Sequence, residues 1–107
     1  MAITSDLIRG NTDMIILAQL LNKDSYGYVI MKLIQKKSCN KYKLKEPTLY
    51  SAIQRLESTG LIVFLLRKKA VGKTQKYISI TRLGRLYYEQ EKANWEEFKS
   101  MIDMLIY

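Results

Sequence analysis

Lys43–Ile62, KLKEPTLYSAIQRLESTGLI, holds a helix start, a one-sided apolar stripe and a glycine stop in a single short stretch. Pro47 suits a first helical turn, where the N–H it lacks would have no partner, and Gly60 suits the left-handed position just past a last turn. On a wheel of about 3.6 residues per turn, Leu49, Ala52, Ile53 and Leu56 share one face. Thr48, Ser51, Gln54, Arg55 and Ser58 lie opposite, and Tyr50 flanks that polar face. The run that follows the glycine, LIVFLL, is short, apolar and β-prone. The spacing therefore predicts a helix that packs by one side, presents hydrogen-bonding side chains on the other and feeds directly into a strand.

Surface helices of many domains look like this, so the surrounding charge matters. Between Lys32 and Arg85 there are 14 basic residues and two acidic ones, Glu46 and Glu57, a local balance of +12 in a chain whose net charge is +8. The flanking segments are therefore mildly acidic. A basic centre between acidic ends reads as a surface made for a polyanion, with double-stranded DNA the first candidate.

On the N-terminal side, Asn11–Leu21 (NTDMIILAQLL) is strongly apolar, with Met14, Ile15, Leu17, Ala18 and Leu21 at helical spacing. Asn22-Lys23-Asp24 interrupts it, and Asp24 or Ser25 can cap a second helix with an inner stripe of Tyr26, Ile30, Leu33 and Ile34. Gly27, in its first turn, lets a neighbouring element come close. Ser38–Lys45 is a polar, lysine-rich connection of ordinary length.

On the C-terminal side, LIVFLL (Leu61–Leu66), the charged stretch RKKAVGKTQK and a second strand, YISIT, make a β-hairpin with a basic tip. Ile78 and Ile80 fall on one face of that strand, and Tyr77 and Ser79 on the other. Thr81 suits the N-cap of a long last helix. Tyr88, Trp95 and Ile102 recur every seven residues, as do Phe98 and Leu105 with Glu91 in register, which forms an a/d seam with one polar position. A helix of about 25 residues runs to about 37 Å, longer than a small domain, so part of this seam is expected to bury against a second copy.

The order of elements is helix, helix, helix, hairpin, long helix. That is a mainly α chain with a small β-hairpin (α+β): a winged helix-turn-helix over residues 1–81 and a C-terminal dimerisation helix over 82–107. In such a domain the third helix is the width of the major groove, and Thr48, Tyr50, Ser51, Gln54 and Arg55 are the candidates for base edges or phosphates. Lys73, Thr74, Gln75 and Lys76 at the hairpin tip are the candidates for the adjacent backbone or minor groove.

Composition excludes much else. With 107 residues, 48% hydrophobic, the chain suits one compact domain. It has no apolar run long enough for a membrane span and no secretory signature, which makes a cytoplasmic protein the expectation. One cysteine rules out an internal disulfide, and the absence of histidine removes the commonest metal ligand and general base. No catalytic residue, metal site or cofactor is expected, since no nucleophile–base pair or phosphate-cradling glycine loop is present. Cys39 sits among Lys36, Lys37 and Lys41, where a thiolate is favoured, so a redox-sensitive thiol and a passive surface cysteine are both open.

The residues also resemble a known family, the PadR-like transcriptional regulators. The likeness rests on LIRGNTDMIILAQL, DSYGYVIMKLI, LKEPTLYSAIQRLESTGLI and GKTQKYISITRLGR, in that order and over nearly the whole chain. The short length resembles the compact subfamily with a single C-terminal helix. Ser51 after TLY, Pro47, Gln75 and Ile78 depart from the family's usual residues. The resemblance implies a homodimeric repressor on a palindromic operator, released in some members by a small aromatic or amphiphilic effector. Trp95, with Tyr88 and Phe98, could stack on such a planar ligand or simply pack a dimer interface. A protein-interaction module and a non-specific architectural DNA binder are the readings from other classes.

Overall fold

A computed structural model of the chain describes residues 3–68 and 72–107. Five helices and one antiparallel hairpin follow in the order α1 (Ser5–Ile8), α2 (Thr12–Ala18), α3 (Gly27–Lys37), α4 (Glu46–Ser58), β1 (Ile62–Lys68), β2 (Thr74–Ile80) and α5 (Arg82–Ile106). The expected winged helix-turn-helix and long last helix are both present. No helix among the described residues is long and apolar enough to cross a membrane.

The core lies where α2, α3, α4 and the base of the hairpin meet. Ile16, Leu17, Leu20, Ile30, Leu49, Leu56 and Ile62 are fully enclosed there. All four residues of the apolar stripe on α4 are buried, Pro47 sits in its first turn, and Gly60 has φ +78°. Side-chain periodicity within one helix is a local property, which is why this element matches its expected form.

Elsewhere the details differ. The first long helix is shorter than its apolar run. After Ala18 the chain tightens into turns, with Gln19 N–H donating to Ile16 O and Leu20 N–H to Leu17 O, each 3.0 Å. The deepest residues of this segment are Ile16, Leu17 and Leu20, so of the expected stripe Leu17 is fully buried while Met14, Ile15, Ala18 and Leu21 are half-buried. α2 touches both α4 and α5, and a helix covered on more than one side gives no single apolar face for periodicity to find.

Neither Asp24 nor Ser25 caps α3. Tyr26 takes the N-cap position without a side-chain bond. Ser25 is buried and pairs as an isolated bridge with Ile78 of β2, its N–H donating to Ile78 O at 3.1 Å and its C=O accepting from Ile78 N–H at 2.6 Å. The carboxylate of Asp24 is taken by Arg67 of β1. Leu44, inside the lysine-rich connection, turns inward to become core.

The hairpin is longer than its apolar runs suggest. Ile62↔Ile80 starts the ladder and Lys68↔Thr74 ends it, so Thr74, Gln75 and Lys76 belong to β2 and not to the tip. Residues 69–71, the centre of the expected basic tip, lie outside the described residues. Ile78 and Ile80 are buried as expected, while Tyr77 on the opposite face meets Tyr26 edge-to-face at 5.6 Å between centroids.

Thr81 does cap α5: its hydroxyl accepts from Gly84 N–H at 3.0 Å and donates to Gly60 O at 2.7 Å. One turn on, Gly84 lies against the start of β1. The first half of α5 packs on α2 with Tyr88 partly buried against the core. The second half runs clear of the domain and contributes to a molecule 58 Å long but only 30 × 22 Å across.

Candidate nucleic-acid interface

The outer face of α4 is built as the sequence predicts. Thr48, Tyr50, Ser51, Gln54 and Arg55 are all exposed. Ser51 and Gln54 point away from the buried stripe and are free of side-chain hydrogen bonds among the described residues, leaving their donors and acceptors available.

Beside them runs a groove of about 880 Å³ between α4 and the hairpin. Tyr50, Ser51, Gln54 and Glu57 of α4 line one wall, and Phe64, Thr74, Gln75 and Lys76 of the hairpin line the other. Tyr26, Gly27 and Tyr28, at the start of α3, complete it. A Cβ at Gly27 would stand 3.2 Å from both the Tyr50 hydroxyl and Leu49 Cδ2, so the bare glycine eases the close approach of α4 to the start of α3. Lys76 is steered by packing: its ammonium lies 3.8 Å from the centroid of the Phe64 ring. That cation–π contact holds a positive charge at the groove wall while leaving its N–H bonds for a ligand. Tyr28 is exposed at the same end, with the Lys32 ammonium 5.4 Å from its ring centre. The groove thus combines phenol hydroxyls, side-chain amides and the Lys76 ammonium, the chemistry that suits a phosphodiester strand. Glu57 is its acidic exception.

The sequence-predicted residues do not all converge. Tyr50, Ser51, Gln54, Thr74, Gln75 and Lys76 share the groove. Thr48 lies on the other flank of α4, and Lys73 is exposed in the hairpin connection. Arg55 has a partner that periodicity cannot reveal. Its guanidinium forms a two-point bond with Asp13 of α2, at 2.5 and 3.2 Å. That hydrogen bond holds the Arg55 proton more firmly than usual, against a smaller opposing effect of burial. Tyr87 of α5 lies close by, and burial pushes its hydroxyl above the ordinary tyrosine value, with Glu91 and Asp13 adding to the shift. Tyr26, expected in the inner stripe of its helix, and Tyr28, given no role by the sequence pattern, both line the groove; their place beside Gly27 at a helix start was the available signal.

On α5 the a/d seam is largely uncovered. Trp95, Phe98 and Leu105 are 39%, 57% and 72% exposed, Ile102 is half-buried, and Tyr88 alone of the five is packed on its own domain. Met101, Met104 and Ile106 extend the apolar surface. Lys99 lies over the Trp95 ring at 4.5 Å. Cys39 is exposed at a left-handed backbone position, φ 54°. Among the described residues no group of His, Cys, Asp and Glu is arranged to hold a metal.

Residues 16–90 match the model of the transcriptional regulator PadR-like family. A transcriptional regulator from Clostridium thermocellum is 42% identical in sequence and superposes with a TM-score of 0.89, covering 99% of this chain and all of that one. A PadR family transcription regulator from Clostridium difficile is 32% identical with a TM-score of 0.78, over 92% of this chain and the whole of its own. An uncharacterised protein of Lysinibacillus sphaericus is 39% identical over 104 residues, 97% of this chain and 95% of its own length.

Proposed function

The chain belongs to the PadR-like family of transcriptional regulators, and from that premise we propose that it is a homodimeric repressor that grips a palindromic operator with α4 and the hairpin of each subunit. DNA-binding transcription regulation is the business of the family, which consists of regulators and not of enzymes. The observation that supports the specific reading is the groove between α4 and β2. It sets the unpaired amides and hydroxyls of Gln54 and Ser51 beside the Lys76 ammonium and the Tyr50 phenol.

In this reading Ser51 and Gln54 meet base edges, with Thr48 on the other flank of α4. Tyr50, Thr74, Gln75 and Lys76 hold the phosphate strand that runs through the groove, and Lys73 reaches the backbone beyond it. Arg55 joins them by leaving Asp13. The pair is half-exposed on the Arg55 side and 22% exposed on the Asp13 side, so solvent screens it in part, and the roughly 1–3 kcal/mol that a bidentate contact to guanine supplies offsets its loss. The exchange takes place where the right base is present.

The exposed stripe of Trp95, Phe98, Ile102 and Leu105 supports dimerisation through α5, because apolar surface of that extent is rarely left to water. Trp95 and Phe98 on that stripe also offer flat surface to a small aromatic effector, which would act from the seam between subunits.

Selection of bound duplexes from a random pool at about 150 mM salt, where long-range electrostatics are screened to about 8 Å, tests the proposal. The expected product is an inverted repeat with half-sites about 10 base pairs apart, one helical turn. Retention without enrichment would make the protein an architectural binder, and no retention would make the basic face a surface for an acidic protein.

A further inference from the structure

α4 has a second groove on its other flank. Thr48 and Tyr50 are two residues apart, hence roughly 200° around the helix, and they face opposite grooves. Tyr50 lines the one shared with the hairpin, and Thr48 lines one of about 570 Å³ formed with the N-terminal segment and the connection before α4. The second groove brings together Arg9, Thr12, Tyr42, Lys43, Lys45 and Thr48, and no acidic residue lines it among the described residues. Arg9, Lys43 and Lys45 are all exposed. Two carboxylates lie nearby: Asp13, which shares a neighbouring hollow with Arg9 and Thr12 but is bonded to Arg55, and Asp6, which meets Arg9 at 3.1 Å in a pair whose two side chains are 79% and 85% exposed, so solvent screens it and leaves Arg9 available.

The placement is fixed by the fold. Ile3 N–H donates to Lys41 O at 2.8 Å and pins the start of the chain to the lysine-rich connection. Leu44 is buried between Lys43 and Lys45, so its neighbours in sequence are turned outward on either side of it. α1 then carries Arg9 to the rim.

A helix with its side chains is about 10–12 Å across and the major groove is about 12 Å wide, so a helix seated there has a phosphate strand on each flank. The hairpin groove accounts for one of them. We propose that the groove of Arg9, Lys43 and Lys45 holds the other, which makes the N-terminal segment a DNA-binding element and brackets α4 between two phosphate clamps. This inference rests on the DNA-binding mode proposed above and adds three contacts to it, all to the sugar–phosphate backbone and none to bases.

The test compares the full-length protein, the variant Arg9→Ala/Lys43→Ala/Lys45→Ala, and Lys23→Ala/Lys92→Ala, which removes exposed charges outside both grooves. Affinity for the selected operator and for an unrelated duplex is measured against salt concentration. Each lost phosphate contact lowers the slope of log K against log salt by about 0.9, so the triple variant should lose roughly two to three units on both duplexes while the control loses less than one. Neutral methylphosphonate linkages then map the strand. Those that weaken the parent protein but not the triple variant should lie on the strand across the major groove from those that no longer affect Lys76→Ala. A slope equal to that of the parent or the control overturns the second clamp while leaving the DNA-binding mode in place. Failure of the parent to bind any duplex overturns both. If the triple variant melts lower than the parent, Lys43→Gln and Lys45→Gln singly carry the test, each expected to lower the slope by about one unit.

Discussion

At the scale of single residues, Gly84 decides how α5 leaves the domain. A Cβ built there would stand 2.1 Å from the carbonyl oxygen of Leu61 and 2.8 Å from Ile80 Cγ1. Leu61 O already accepts from Thr81 N–H, so it is tied down and cannot retreat. Gly84→Ala is therefore expected to cost about 2–3 kcal/mol, as overpacking against backbone does, and to lower the melting temperature by on the order of 10 °C in a chain this size. An unchanged melting curve would mean that α5 does not sit this close to β1. The sequence showed Thr81 as a cap because Ser and Thr at helix starts have a local job. It could not show why position 84 must be bare, because Leu61 and Ile80 come there through strand pairing.

At the scale of elements, α4 was legible and its attachments were not. Leu49, Ala52, Ile53 and Leu56 declare the buried face through spacing alone, and Ser51 and Gln54 follow as the exposed one. Arg55 sits on the polar side as its position requires, yet its partner Asp13 is 42 residues away, a separation that no pattern within a helix encodes. The same holds for the hairpin. Apolar content marks Leu61–Leu66, but Arg67 and Lys68 are strand because Gln75 and Thr74 lie opposite them, and Lys76 reaches the groove through Phe64. The Asp13–Arg55 link joins α2 to α4 and competes with any contact Arg55 makes to DNA. Asp13→Asn should leave the fold intact and tighten binding to the operator by up to about fivefold, the equivalent of a released surface ion pair near 1 kcal/mol. Unchanged affinity in a titration of the variant would confine Arg55 to a structural tie between the two helices.

At the scale of the whole molecule, the projecting half of α5 has no packing partner among the described residues. Phe98 and Leu105 are among its most exposed apolar side chains on the seam. Replacing both with glutamate, Phe98→Glu/Leu105→Glu, should yield a monomer in sedimentation at micromolar concentration, with the winged-helix region still folded. Operator affinity should then fall to that of a single half-site. A variant that still sediments as a dimer would place the interface elsewhere. Within each domain, by contrast, the elements are tied to one another. The backbone bridge between Ser25 and Ile78 rivets the base of the hairpin to the start of α3, and Gly27 seats Tyr50 of α4 against that same point. The two walls of the groove are thus joined at its floor, so the fold itself sets the gap between them. In the proposed dimer two such grooves ride on one shared axle, and the distance between them is a quantity for a signal to alter.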